Sequence, residues 1–217
     1  MRIDVDAGIA VVTLGDGPNS FTDTFVADAN AALDAVEADG EVRAVITTGA
    51  GKHYSNGFDL DFLGSLEGAA FTAFFLDSRA LLARVLTFPL PIAAALNGHA
   101  FGIGAMLALA HDVRVARTDR GWFCLPEIDL GMRFHPSMTA LIGARLPVGT
   151  RHEAILTGRR YRGPEAVAAG IAQAEAAGGD LVAAAAALLE PFGGKDPALV
   201  AKMKRDLYAP VVALLET

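Results

Sequence analysis

The chain has 217 residues, 53 % of them hydrophobic and 20 % charged, with a formal net charge of −7. That balance fits one domain, or one with a short appendage, long enough to bury a real core, and excludes a disordered chain. An acidic total without a basic stripe argues against nucleic acid as the main partner, and no apolar stretch is long and uniform enough for a membrane span.

Residues 2–6 and 8–14 read as a β-hairpin around Ala7-Gly8. Over 21–38, Phe25, Ala29, Leu33 and Val36 recur at helical spacing. AVITTG at 44–49 reads as a buried strand closing on glycine, and Asn56-Gly57 then leads into a helix capped by Asp59. A second periodic helix covers 69–87, stopped by Pro89 and Pro91, and PIAAAL at 91–96 is the next strand. A helix over 102–110 and a strand over 112–116 follow. From 135 onward the pattern is helical: 136–145, 150–157, 163–169, 178–190 and 195–215. Alternating strands and helices with a helical tail predict α/β with parallel strands, or α+β with a helical C-terminal appendage.

Cys124 stands alone, and the five histidines show no paired spacing, so neither a disulfide framework nor a metal site is expected. The opening residues lack a basic flank before an apolar run, and LLET is no peroxisomal address, so a cytoplasmic protein is the expectation.

The stretch NGHAFGIGAMLALAHDVRVA at 97–116 places Gly98, Gly102 and Gly104 within seven residues. Glycines there cost backbone entropy, so something must need the main chain bare. A helix start carries unpaired N–H groups and a positive partial charge, which suits phosphate, carboxylate or an oxyanion formed in a reaction. A dinucleotide fingerprint fits poorly: Leu107 stands where the third glycine belongs, and the strand DVRVA leads to Arg117 rather than an acid. Close packing of a helix on a sheet would also use such glycines. GKHYSNGFDL repeats the pattern of strand, glycine turn and capped helix, so two strand ends can converge on one oxygen. Ser55 lacks the GxSxG elbow of a serine hydrolase.

GKHYSNGFDL, NGHAFGIGAMLALAHDVRVA and WFCLPEIDLGM, in unbroken order from about residue 5 to about 170, resemble the crotonase (enoyl-CoA hydratase/isomerase) superfamily. The resemblance implies an α/β, ββα spiral core over 1–160 and a helical C-terminal trimerisation region over 161–217. It implies an acyl-CoA thioester as substrate, with no separate cofactor, and a homotrimer or a hexamer made of two trimers. Two backbone N–H groups then polarise the thioester carbonyl, and carried over by position these are those of Asn56 and Ile103. The implied binding residues are Ser55, Gly57, Phe58, Asp59, Leu60, Ala100, Gly102, Gly104, Met106 and Pro126.

Hydrating members of the family use two glutamates. Here Met106 stands where the first belongs, and Pro126-Glu127 keeps the second. The resemblance therefore implies a proton shuttle by Glu127 alone, converting a 3-enoyl-CoA to a 2-enoyl-CoA; SNGFDL looks like the monofunctional isomerase branch of plants and some bacteria. An apolar setting (Phe123, Leu125, Ile128) should raise the Glu127 pKa toward what proton exchange needs. A hydratase or another lyase using Glu127, and a silent acyl-CoA binder or assembly subunit, are the alternatives. His53, His99 and His135 lie near the motif loops and read as packed side chains. Phe62, Phe71, Phe74 and Phe75 suit either a core or an acyl tunnel. MRFHPSMTA departs from the Pro-Gly-rich segment of relatives, and Lys202, Lys204 and Arg205 are loose candidates for CoA phosphates.

Overall fold

A computed structural model describes residues 1–217. Its main sheet has six strands: β1 (Arg2–Asp6), β2 (Ile9–Thr13), β3 (Ala44–Thr48), β5 (Ile92–Leu96), β7 (Val113–Arg117) and β9 (Ala174–Ala176). They lie in that order, β1 antiparallel to β2 and every other pair parallel. A second sheet of three short parallel strands joins β4 (His53–Ser55), β6 (His99–Phe101) and β8 (Phe123–Cys124).

Composition explains the layering. β5 is apolar throughout and β3 is buried from Val45 to Thr48, as central parallel strands covered on both faces must be. On one face, the alanine-rich helix α8 (Leu181–Leu189) comes close to the alanines of β5, with Ala93, Ala95, Val115, Ala185 and Leu189 in one cluster. On the other lie α1 (Asp23–Ala38), α3 (Gly68–Leu86) and α4 (Ile103–Ala110). α4 is apolar all round and buried along its whole length, as a helix enclosed on every side should be. The shorter helices are α2 (Leu60–Ser65), α5 (Pro136–Arg145), α6 (Val148–Thr157), α7 (Gly163–Ala168), α9 (Pro197–Leu207) and α10 (Ala209–Leu215).

Five elements differ from the sequence reading. β9 is a strand in the gap between the helices read over 163–169 and 178–190; three residues of AEA carry too little β-propensity or alternation to show. The short strands β4, β6 and β8 are not among the strands that the sequence pattern predicts. The helix read over 195–215 is broken at Tyr208, because Pro210 has no N–H and its ring disfavours a continuous helix through the carbonyl four residues back.

Polar anchors fix the tail to the core. Lys204 Nζ lies 2.7 Å from Asp112 Oδ2, both side chains 12 % exposed, and donates to the carbonyls of Phe88 and Leu90. Arg145 donates to the Tyr208 hydroxyl and to the carbonyls of Leu109, His111 and Asp112. Arg205 pairs with Glu216 at 3.2 Å. Lys204 therefore serves the fold, and its candidacy for CoA phosphate is corrected.

Candidate active site

The three short strands of the second sheet run parallel, so their C-terminal ends gather at one edge, and a turn leaves from each. Ligands of parallel α/β sheets sit outside the carboxyl ends of strands. At this edge lies an open cleft of about 470 Å³, bounded by Asn56–Leu60 after β4, Phe101–Ile103 after β6 and Pro126-Glu127 after β8. Two larger hollows, of about 540 and 680 Å³, border α3 elsewhere but contain no buried polar atom left without a partner.

Glu127 sits in a 3-10 turn opened by Pro126. A Cβ built on Gly102 would lie 3.3 Å from Glu127 Oε1, which places the carboxyl over the bare face of that glycine. Oε2 is buried and has no hydrogen-bond partner. Burial pushes the Glu127 carboxyl up to about 7, and no cation pairs with it to pull it back. Such a group exchanges protons readily near neutrality.

The amide donors follow from backbone geometry. Gly102 has φ +51°, a conformation suited to glycine, and the helix α4 opens on the next residue. Ile103 N–H, first in that helix, has no acceptor one turn back. On the opposite loop, Asn56 N–H donates to Pro18 O at 2.9 Å. It is spent on the fold, so the expectation that Asn56 supplies an oxyanion donor is corrected. The free amide is that of Phe58. Gly57 O accepts from Phe21 N–H at 2.8 Å, and in a trans peptide the N–H points opposite to the carbonyl. Phe58 N–H is therefore directed away from Phe21, and it has no acceptor within the chain. The Phe58 ring is stacked on Phe75 at 5.8 Å and meets Phe74 edge-on, which fixes this stretch of backbone.

Nine of the sequence-predicted residues border the cleft: Asn56, Gly57, Phe58, Asp59, Leu60, Gly102, Ile103, Pro126 and Glu127. Four do not. Ser55, Ala100 and Met106 are buried behind it, Met106 only 1 % exposed in the main core, and Gly104 packs against Ser55. The Ser55 hydroxyl donates to Asn19 O. Asp59 caps α2 by accepting from Phe62 N–H at 2.9 Å. Sequence reasoning missed Pro18, Ser20, Asp61, Phe101, Leu130 and Met132 at the cleft; Pro18-Asn19-Ser20 after β2 was the legible signal. His53 and His99 lie at the other end of the small sheet, and His135 caps α5 by accepting from Ser137 N–H.

The family model described as enoyl-CoA hydratase/isomerase matches residues 4–217. A relative from Arabidopsis thaliana, named enoyl-CoA delta isomerase 2, peroxisomal, is 33 % identical over 93 % of this chain and 88 % of its own. One from Bacillus subtilis, named "Probable enoyl-CoA hydratase", is 32 % identical over 96 % of this chain and 82 % of its own. Among solved structures, an apo enoyl-CoA isomerase of Mycobacterium tuberculosis superposes with a TM-score of 0.89 at 26 % identity, covering 99 % of this chain and 93 % of that one.

Proposed function

Because the chain belongs to the enoyl-CoA hydratase/isomerase family, we propose that it is an acyl-CoA double-bond isomerase, converting 3-enoyl-CoA to 2-trans-enoyl-CoA with no separate cofactor. One observation carries this reading: a single unpartnered carboxyl, pushed up to about 7 by burial, shares one cleft with two unpaired backbone amides, and the family resemblance puts Met106 where hydrating members carry a second acid. Glu127 removes a proton from C2 of the bound thioester. The negative charge gathers on the thioester oxygen, where Phe58 N–H and Ile103 N–H accept it without reorganising; loss of one such donor in other enzymes costs on the order of 3 kcal/mol. The same carboxyl then returns the proton to C4 of the dienolate.

Hydration needs a second group to orient and activate water. The other acids at the cleft do not supply it: Asp59 is committed to capping α2, and Asp61 lies on the exposed rim. Incubated with a 3-enoyl-CoA, the purified protein should produce the conjugated 2-enoyl thioester, followed by its ultraviolet absorbance and by chromatography. Accumulation of 3-hydroxyacyl-CoA as the first product would instead select the hydratase, and tight binding without turnover the silent binder.

Trimer assembly belongs to the same reading and has its own support. α9 presents Leu199, Met203 and Leu207 at every fourth position, 54 %, 63 % and 71 % exposed, an apolar stripe on an otherwise charged helix. Light scattering should give a trimer or hexamer mass for the wild type and a smaller mass for Leu207→Glu; a monomeric wild type would refute assembly. A cytoplasmic location is also retained, supported by a single buried cysteine that has no need of an oxidising compartment.

A further inference from the structure

The parallel strands β4, β6 and β8 that deliver the cleft at one end also gather their N-terminal ends at the other, about 7–10 Å away for strands of two or three residues. A second hollow of about 330 Å³ opens there, bordered by Lys52, His99, Arg120, Trp122 and Arg162. Arg160 joins it from behind, its guanidinium 5.5 Å from the Trp122 ring centroid; Arg162 lies 5.8 Å from the same ring and His99 is stacked on it at 4.9 Å.

The charge at this place is unbalanced. None of Lys52, Arg120, Arg160 and Arg162 is in an ion pair. Asp119, the carboxylate at the rim, is held by Arg117 at 2.6 Å. Four like charges gathered on a chain of net charge −7 give this exposed spot a local positive potential that attracts anions. His99, on the border of the hollow, adds an observation of a different kind: its Nδ1 is buried and has no hydrogen-bond partner, an arrangement that costs free energy. Burial, His53 and the surrounding cations hold the His99 imidazole below its usual pKa, so the ring is neutral and can present one N–H donor. Arg120 uses two of its nitrogens on the carbonyls of Asn97 and Gly51, leaving the third free.

We infer that this hollow is a binding site for a phosphate group, separate from the acyl-CoA cleft and set by Lys52, His99, Arg120 and Arg162. Guanidinium forks and an ammonium suit a compact dianion, and the volume admits inorganic phosphate or the phosphoryl end of a small metabolite. His99, Arg160 and Arg162 all lie against the Trp122 ring, so the indole serves as a wall of the hollow.

Trp122 is the only tryptophan of the chain and borders this hollow, so its emission reports on the hollow's surroundings. The full-length protein is titrated with inorganic phosphate and, separately, with glycerol 1-phosphate, at ionic strength held constant with chloride. A saturable change in emission is expected, weakened at least fivefold in Lys52→Gln and in Arg162→Gln and restored in Lys52→Arg. Turnover of 3-enoyl-CoA measured without phosphate should be unchanged in these variants, which keeps the site distinct from the cleft. Tighter binding of glycerol 1-phosphate assigns the site to a phosphorylated metabolite, and equal or weaker binding to the free anion. A linear response equal to that of chloride, saturable binding indifferent to both glutamine variants, or emission that follows protein concentration instead of phosphate would overturn the assignment; the last marks a contact between copies.

Discussion

Glu127→Gln is expected to lower isomerisation roughly 10³-fold or more while leaving the affinity for a saturated acyl-CoA close to the wild-type value. A positioned general acid or base contributes about 10²- to 10⁴-fold, and in the proposed reaction one carboxyl performs both transfers, so its loss falls at the upper part of that range. The amide retains the size and a hydrogen-bonding oxygen but cannot accept the C2 proton. In the wild type kcat/KM should rise with pH around 7, since the ionised form is the base and burial holds its midpoint there. A pH–rate profile of wild type beside single-turnover rates of the variant checks both; substantial turnover by Glu127→Gln would remove Glu127 from the reaction.

The same substitution has a stability signature of the opposite sign. The Glu127 carboxyl goes from an ordinary 4.5 to about 7 on folding, so the folded chain binds the proton more tightly than the unfolded one. Its favourable contribution is fully present below pH 4.5 and is lost as pH rises through 7, by at most roughly 3 kcal/mol for a shift of that size. Glu127→Gln should consequently resist urea better than the wild type at pH 8 and about equally at pH 4.5. A less stable variant at pH 8 would mean that Oε2 has a partner in solution. Activity gained at the expense of stability is what an unpaired buried acid in a cleft leads one to expect.

The order of elements and the two glycine turns were legible because both are local. Buried runs such as AVITTG and PIAAAL end at glycine or asparagine, and helical periodicity fills the gaps. Pro126-Glu127 was legible only through resemblance to a family, since a glutamate after proline has no local mark of burial. Asn56 was misplaced for a physical reason. Which amide of a loop faces the cleft depends on which are taken by other segments, and here Pro18 and Phe21, more than 30 residues earlier in the chain, take the carbonyl and amide groups flanking Phe58. The positive φ of Gly57 (+89°) turns the chain between Asn56 and Phe58, so counting along the loop cannot say which N–H is free. Lys204 is a similar case: its partner Asp112 lies 92 residues away. Pro210, in contrast, was a visible helix break that the apolar pattern of the tail obscured.

Gly104→Ala should damage catalysis far more than its distance from the substrate carbon suggests. A Cβ at that position would lie 2.5 Å from Ser55 Oγ and 2.6 Å from both Ser55 Cβ and Ser55 O. Real side chains do not tolerate such contacts, and one of the three is backbone, so rotating the Ser55 hydroxyl cannot relieve them. The first turn of α4 must move away from β4. Overpacking of this kind costs about 1–3 kcal/mol of stability, small enough for most domains to survive. The two amide donors fare worse, because Ile103 N–H moves with α4 while Phe58 N–H remains tied to Phe21 through Gly57. A displacement of about 1 Å in a catalytic constellation can cost on the order of 10²-fold. The expected result is a folded protein with nearly normal far-ultraviolet dichroism, a modestly lowered urea midpoint and kcat reduced about a hundredfold. Shortening the neighbour in Ser55→Gly/Gly104→Ala removes Oγ and Cβ but leaves the carbonyl, so it should recover stability more than kcat. Wild-type kcat in Gly104→Ala would show that the approach of α4 to β4 does not set the spacing of the donors.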